Sequence, residues 1–386
     1  MTGWLGSSSR YHALDSLRAA MMFLGIYLHV VAAYSPNDER WFQPVETNGA
    51  LDFTFMTIHV FRMPVFYVMA GFFTALLLHR YGFARAASNR VSRIVIPFVV
   101  GWIVVYPPTM FLCAWIGHGL PWALDFILSG RFLARPIVLH LWFLEYLILL
   151  YLLAAIVVAA VRALVPATIQ TTVLRFFRSA VQSLWGPLPF AVLSFVVLLR
   201  MGYPGLESPV LFMPKAKIVA AYAIPFAFGW LLYLNADLLD TLRRRAWIYT
   251  VVGAVTVVVY LAVFYSFPDR GVPFYVSRAA NALAAWCFIF GLTGLFLRYV
   301  NGHGSLGRYL CDSSYFLYIA HLPIILMFQL MLENVPLSPL AKIPLILVAT
   351  IALLLLLYRY VVRPTFIGAQ LNGRTYPAAP ASAAAD

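Results

Sequence analysis

Long apolar stretches with few charges are the feature that most limits how this chain can fold. Each of ten stretches is about 20 residues long or slightly more, which is the length that an α-helix needs to cross a bilayer. With 63% hydrophobic and 11% charged residues, the 386-residue chain has too few charges to cover a soluble surface. We therefore predict an all-α, polytopic membrane protein with about ten transmembrane helices. The predicted spans are residues 14–34, 52–78, 94–116, 137–161, 180–199, 218–234, 246–266, 276–297, 309–331 and 343–361.

The distribution of positive charge predicts the orientation of these spans. If the chain crosses the membrane ten times, sixteen of the 27 Lys and Arg residues fall on the N-terminal side and nine, Arg278 among them, fall on the other side. The remaining two, Arg18 and Arg62, lie within spans. Because Lys and Arg accumulate in cytoplasmic loops, we expect both termini in the cytoplasm. The predicted domains are a cytoplasmic N-terminus (1–13), one transmembrane domain (14–363) and a cytoplasmic tail (364–386) that is disordered from about residue 373.

The charge also bears on the partners of the chain. The net charge of +13 is spread over short loops between apolar stretches. It does not form the patch of basic and aromatic residues that nucleic-acid binding needs, so we expect no nucleic-acid partner. The three cysteines lie in or beside apolar stretches without the spacing of metal ligands, so we expect no metal.

Three ionisable side chains interrupt the first predicted span. Arg18 and His29 are eleven residues apart, and Asp15 precedes Arg18 by three residues, so all three share one face of a helix. Ionisable groups inside a membrane are costly, which makes them functional candidates by default. Arginine carries a fixed charge, whereas an imidazole, with an ordinary pKa of about 6.5, exchanges a proton near neutral pH. A polar pair that only joins helices is the alternative.

The second and fourth predicted spans carry further ionisable groups. His59 and Arg62 share one helical face, with Arg62 near the middle of the membrane. An arginine at that depth needs an anionic partner, which is either a protein carboxylate, such as Asp15 or Glu145, or an acidic ligand. Glu145 is also a candidate to orient His29.

Three more side chains are candidate substrate contacts in the outer half of the membrane. His140 and Trp142 lie near the predicted outer interface, and His321 lies within the ninth predicted span. Trp142 could instead anchor its helix at the interface, as tryptophan often does. For His321 the alternative is a hydrogen bond that bridges two helices.

Arg18 and His29 together resemble the Arg-ten-residues-His signature of the membrane acyltransferase 3 family. The resemblance continues in order along roughly residues 11–363, and within the family the chain is similar to the glucan biosynthesis protein C group, which succinylates osmoregulated periplasmic glucans. The further matching segments are IHVFRMPVFYVMAGFF (58–73), RVSRIVIP (90–97), HLWFLEYLILLYLL (140–153) and SSYFLYIAHLPI (313–324).

The resemblance implies an activity and a location. It implies a multi-pass enzyme of the bacterial inner membrane, an O-succinyl or O-acetyl transferase. Such an enzyme moves an acyl group from cytoplasmic acyl-CoA to hydroxyls of a periplasmic or cell-surface carbohydrate, osmoregulated periplasmic glucan in the similar group. Acyl-CoA, succinyl-CoA in that group, is then a co-substrate, and no cofactor stays bound. The other implied partners are membrane lipids and either a second copy of the chain or proteins of glucan synthesis.

The resemblance also implies roles for the ionisable residues. Arg90 and Arg93 lie one turn apart at the inner end of the third predicted span and with Arg18 would bind the phosphates of coenzyme A. The alternative for this pair is an ordinary positive-inside flank. His29 would act as general base on the hydroxyl or on an intermediate acceptor, and transfer would be either direct or through an acyl-His intermediate. Arg18, Asp15 and Glu145 are the other catalytic candidates. A different class of function also fits intramembrane charges: a proton-coupled transporter or flippase of a lipid-linked sugar or an organic anion.

Overall fold

The computed structural model describes residues 9–35, 47–202, 205–267, 271–300, 302 and 304–373. Within these residues the chain is helical, with no strands and one isolated bridge between Ile137 and Leu211, which confirms the all-α prediction. The predicted disordered tail lies outside the described residues, apart from residue 373. The helices are α1 (Ser9–Ala32), α2 (Gly49–Arg90), α3 (Ile96–His118), α4 (Leu120–Leu128), α5 (Trp142–Leu164), α6 (Ala167–Gln182), α7 (Pro187–Leu198), α8 (Ala216–Leu234), α9 (Leu238–Arg244), α10 (Ala246–Ser266), α11 (Val272–Tyr299), α12 (Ser305–Met331), α13 (Pro339–Leu357) and α14 (Phe366–Asn372).

The structure confirms a polytopic membrane protein. Among the described residues, eight helical runs are long and apolar enough to cross a membrane, and the bent pair α6–α7 is a possible ninth. One run, Gly49–His118, has 70 residues and would measure about 105 Å if straight, against a hydrocarbon core of about 30 Å. This run contains both the second and the third predicted spans. The number of ten spans and the location of the termini stay predictions.

A break inside α2 divides that long run. Gly82 has φ 77° and ψ 173°, a backbone conformation that residues with a Cβ rarely adopt. A π-helical turn, Val91–Val95, then joins α2 to α3. The break at Gly82 and the π-helical turn both lie in the arginine-rich segment between the second and third predicted spans. Such irregular backbone is expected where a chain turns at a membrane surface.

The fifth predicted span, residues 180–199, is not one straight helix. Helices α6 and α7 meet at 107°, and the break between them covers residues 183–186, with an extended backbone at Ser183. Helix α7 has 12 residues, so it is about 18 Å long and too short to cross the bilayer alone.

Buried Arg278 holds the C-terminal end of α7 in place. Its Nε donates to the carbonyl oxygen of Leu198 at 3.1 Å, and its Nη2 donates to that of Met201 at 3.0 Å. Carbonyls at a helix end lack partners within the helix, so a buried guanidinium satisfies them. The prediction that Arg278 lies in an outer loop is wrong, because the residue belongs to α11 and its side chain is fully buried.

Close helix contacts position α2, which carries several of the candidate site residues. A Cβ at Gly71 of α2 would overlap the carbonyl oxygen of Phe226, and a Cβ at Gly229 of α8 would overlap that of Val68. Small residues let two membrane helices approach until their backbones touch. Helix α1 packs against the other side of the site, in contact with α2, α11 and α12.

Candidate active site

Two cavities lie one after the other along α1. The first, here called the His29 cavity, measures about 520 Å³, and the second, the Arg18 cavity, about 460 Å³. Helix α1 lines both because Arg18 and His29 are about 16 Å apart along its axis. The predicted residues that line the His29 cavity are His29, His59, Arg62, His140 and Trp142, and those that line the Arg18 cavity are Asp15, Arg18, Arg90 and Arg93.

Three histidines from distant parts of the sequence meet beside the His29 cavity. The ring centroid of His29 is 5.0 Å from that of His321 and 6.0 Å from that of His140, and the last two rings are 4.6 Å apart. His29 is half-buried and lines the cavity, whereas His140 and His321 are buried. Within the described residues, no group of three or more His, Cys, Asp or Glu could hold a metal ion.

Backbone carbonyls fix the tautomers of the two buried histidines. Nε2 of His140 donates to the carbonyl oxygen of Ile319 at 3.0 Å, and Nδ1 of His321 donates to that of Tyr318 at 2.6 Å. A carbonyl only accepts, so these nitrogens carry the hydrogen and the other nitrogen of each neutral ring is an acceptor. Both acceptor nitrogens are buried without a hydrogen-bond partner among the described residues. Two neutral imidazoles therefore offer lone pairs close to the His29 ring.

The backbone just before His140 is strained. Leu139 is fully buried with φ 57°, in the left-handed region where a residue with a Cβ costs about 1–2 kcal/mol. The amide of Val138 donates to the carbonyl oxygen of Val210 at 2.7 Å, which ties the turn to the loop before α8. Strain of this kind persists only where the surroundings impose it, and here it places His140 against α12.

Arg62 lines the His29 cavity without an acidic partner. The ion pairs within the described residues all join other side chains. Its Nε atom is buried and has no hydrogen-bond partner there. A Cβ at Gly25 would overlap Nη1 of Arg62, and Gly25 lies one turn before His29 on α1, so the guanidinium lies near the histidine cluster. Among the described residues, neither Asp15 nor Glu145 pairs with Arg62.

His59 connects the His29 cavity to the loop that precedes α8. Its Nε2 donates to the carbonyl oxygen of Leu206 at 3.0 Å, and its ring stacks on Phe55 with centroids 5.7 Å apart. Ser208 and Val210 of the same loop line the cavity. His59 is thus held at the wall by contacts on two sides.

Lysines hold that loop through Glu207. Nζ of Lys217 donates to Oε1 of Glu207 at 2.5 Å, the amide of Gly202 donates to the same oxygen at 2.8 Å, and Nζ of Lys215 is 3.5 Å from Oε2. Burial alone raises the pKa of Glu207, but the hydrogen bonds from Lys217 and Gly202 and the two lysine charges outweigh it. The pKa of this carboxyl therefore lies below its ordinary value.

Arg18 has an acidic partner in the cavity that is named after it. Nη2 of Arg18 is 2.6 Å from Oδ1 of Asp15, and both side chains are about one-third exposed. The guanidinium also lies over the ring of Phe73, 5.9 Å from its centroid. These contacts fix the direction of the guanidinium while leaving part of it open to the cavity.

Further arginines make this cavity electropositive. Arg90 donates from Nη2 to the hydroxyl of Thr74 at 3.1 Å and lies 4.9 Å from the ring centroid of Tyr151. Arg93 donates from Nη2 to the carbonyl oxygen of Asn372 at 2.8 Å, which brings the short helix α14 to the cavity. Four arginines but only two aspartates line the cavity, a balance that suits a polyanion.

The positions of Trp142 and Glu145 differ from those that the sequence suggested. Trp142 is 6% exposed, lines the His29 cavity and contacts the ring of Tyr222, so it is buried in the protein rather than presented to the bilayer interface. Glu145 lines neither cavity, and its Oε2 atom is buried without a hydrogen-bond partner among the described residues. The structure brings Trp142 to the site but not Glu145.

Three apolar side chains line both cavities and were missed in the sequence. Met22 of α1, Phe66 of α2 and Phe143 of α5 line both cavities. An apolar residue in an apolar helix gives no signal by itself. The usable signal is spacing, because Met22 and Phe66 each lie one helical turn from a candidate arginine, Arg18 and Arg62.

The fold and the site together define a multi-pass membrane protein that presents arginines to one cavity and a histidine cluster to the next. A family model described as an acyltransferase domain, the acyltransferase 3 model, matches residues 11–359, which include every candidate site residue. The chain therefore belongs to this acyltransferase family.

Individual relatives agree with the family assignment. The chain is similar to "Glucans biosynthesis protein C" of Salmonella paratyphi B, with 26% identity over 344 residues that cover 83% of each chain. It is equally similar to the proteins of that name in Salmonella heidelberg, over 343 residues, and Salmonella enteritidis PT4, over 344 residues. No solved structure gives a significant match.

Proposed function

We propose that this protein transfers a succinyl group from cytoplasmic succinyl-CoA to hydroxyls of a periplasmic glucan, across the inner membrane of a bacterium. The observation that carries the proposal is the pair of consecutive cavities along α1, with Arg18 in one and His29 in the other. Acyl transfer needs an anion site for the donor and a proton acceptor for the hydroxyl, and one helix presents both.

The Arg18 cavity is the donor site in this proposal. Coenzyme A carries several phosphate charges, and guanidinium groups bind phosphate through two parallel hydrogen bonds. Arg90 and Arg93 would hold the phosphates. Arg18, fixed by Asp15, lies one helical turn from Met22, which lines both cavities, and would contact the arm that carries the thioester. The charge count predicts that this end of the protein faces the cytoplasm.

The His29 cavity is the acceptor site. His29 removes the proton from a sugar hydroxyl as the oxygen attacks the thioester carbonyl, and a tetrahedral intermediate forms. When the C–S bond breaks, the imidazolium returns the proton to the departing thiolate, so free coenzyme A and an ester result. The lone pair of His321 or His140 can accept the remaining N–H of His29, which orients the base without a carboxylate.

Two observations support the identity of the substrates. Arg62 has no acidic partner among the described residues, and its place in the His29 cavity suits the free carboxylate of a succinyl group. The name of the Salmonella relatives refers to glucan biosynthesis, which favours a glucan as the acceptor.

Mass analysis of glucans tests this proposal. Purified protein in lipid nanodiscs is incubated with succinyl-CoA and unsubstituted periplasmic glucan. We expect glucan that gains succinyl esters, with one free thiol released for each ester. A His118→Gln protein is the matched control, because His118 is exposed and lines neither cavity. Movement of a lipid-linked sugar or an organic anion without ester formation would instead support the transporter alternative.

A further inference from the structure

Three apolar side chains belong to the walls of both cavities. Met22, Phe66 and Phe143 are 6%, 7% and 4% exposed, and each lines both cavities. We call these three residues the septum. They come from α1, α2 and α5, so each of three helices contributes one side chain to the septum.

A ring contact and a backbone hydrogen bond hold the aromatic part of the septum. The rings of Phe66 and Phe143 meet edge to face with centroids 4.4 Å apart, and the hydroxyl of Tyr67 donates to the carbonyl oxygen of Phe143 at 3.3 Å. Met22 is the third member, and its unbranched thioether side chain changes rotamer easily. The natural place for an opening is therefore between Met22 and the aromatic pair.

Arginines lie one helical turn from the septum on its two sides. Arg18 precedes Met22 by four residues and lines only the Arg18 cavity, and Arg62 precedes Phe66 by four residues and lines only the His29 cavity. Four helical residues rise about 6 Å. A carboxylate at the end of a short acyl group thus meets a guanidinium before the septum and another one directly after it.

We propose that the septum is the passage through which the acyl end of the donor reaches His29, and that it admits short acyl groups ending in a carboxylate. This inference rests on the function proposed above. When closed, the apolar layer keeps the thioester in the Arg18 cavity away from water in the His29 cavity. When Met22 moves aside, the layer admits a chain about as wide as an unbranched acyl group, and Arg62 retains its carboxylate beside the base.

The first test measures acyl selectivity and leakage. Phe66→Ala and Phe143→Ala widen the septum, whereas Phe72→Ala removes an equally buried ring from α2 that lines neither cavity. We expect both septum variants to accept branched or aromatic acyl-CoA donors, shifting the kcat/KM ratio against succinyl-CoA by about tenfold or more. We also expect faster hydrolysis of succinyl-CoA when no glucan is present. Unchanged ratios and hydrolysis in both septum variants, relative to Phe72→Ala, overturn the proposal.

A second test does not depend on acyl transfer. Cys113 lines the His29 cavity and Cys311 lines the Arg18 cavity. A membrane-impermeant thiol reagent is added to right-side-out and to inside-out vesicles, and the modified peptides are identified by mass spectrometry. We expect that a reagent added on one side of the membrane modifies the cysteine in the cavity on the far side of the septum only in Phe66→Ala and Phe143→Ala. Equal modification in the unaltered protein, or none in either septum variant, overturns the septum. Failure of ester formation in the unaltered protein defeats the proposed function instead and leaves this result standing.

Discussion

The two cavities use arginine in different ways. In the Arg18 cavity the arginine for which it is named forms an ion pair with Asp15 at 2.6 Å, so its charge is partly compensated before any ligand arrives. In the His29 cavity, Arg62 has no acidic partner among the described residues. An arginine that is paired within the protein is positioned, and one that is unpaired at depth is prepared for an anion. In the proposed function, the first cavity would hold the polyanionic donor and the second would hold one small carboxylate.

The largest effect is expected at the proton acceptor of the His29 cavity. His29→Ala removes a general base, which contributes about 10²–10⁴-fold to rate, so kcat falls by that order. His29→Gln fails nearly as badly, because an amide forms hydrogen bonds but exchanges no proton near neutral pH. Steady-state ester formation by both variants, with donor binding measured separately, checks this. Near-normal turnover of His29→Gln would return His29 to a helix-bridging role and remove the contrast between the cavities.

A smaller, donor-dependent effect is expected at Arg62. Arg62→Leu removes the group that pairs with the distal carboxylate, and a hydrogen bond to a charged group contributes about 1.5–3 kcal/mol, or about tenfold or more. Succinyl transfer should therefore fall about tenfold more than acetyl transfer. Gly25→Ala should act in the same direction, because the added Cβ displaces Nη1 of Arg62. Competition assays with both donors provide the measurement, and equal losses for succinyl-CoA and acetyl-CoA would make Arg62 structural.

The paired arginines of the other cavity should affect binding more than rate. Replacing Arg90 and Arg93 by Ala should raise KM for succinyl-CoA several-fold or more while kcat changes little. Phosphate contacts made equally in the ground state and the transition state appear in KM. The control is Arg162→Ala combined with Arg175→Ala, two exposed arginines that line neither cavity. If both double variants behave alike in saturation kinetics, the pair is an ordinary positive-inside flank.

The smallest effect concerns the loop that closes the His29 cavity. Because the pKa of Glu207 is lowered in the folded protein, its contribution to stability is complete above the unfolded-state pKa and is lost as the pH falls through the folded-state pKa. Glu207→Gln should thus lower the melting temperature slightly at neutral pH, and the difference should shrink below the ordinary glutamate pKa of about 4.3. Thermal unfolding in detergent across pH tests this against Glu333→Gln, an exposed glutamate outside the loop. A difference that grows on acidification would contradict the sign.

The sequence predicted what depends on local pattern. The helical period places Asp15, Arg18 and His29 on one face of the first span, and the structure carries the last two into consecutive cavities. Apolar length predicted the helical class. The bend of 107° between α6 and α7 was beyond the sequence, because its size depends on tertiary contacts.

What the sequence could not predict depends on contacts between distant segments. His140 and His321 were candidate substrate contacts, but their places beside His29 follow from how the turn before α5 packs on α12, and helical period carries no such information. Glu145 seemed a natural partner for a buried cation, yet it lines neither cavity. The septum residues looked like ordinary apolar core until two cavities were found on their two sides.

Transfer between sealed compartments tests the central claim most directly. A reporter fused after Arg363 shows which side of the membrane vesicles carries the C-terminal end of the protein. Succinyl-CoA is confined to that side, and glucan is supplied only on the opposite side. The account predicts succinyl esters on the glucan and an equal amount of free coenzyme A on the donor side, with neither product formed by His29→Gln. Esters that form only when donor and glucan share one compartment would contradict it.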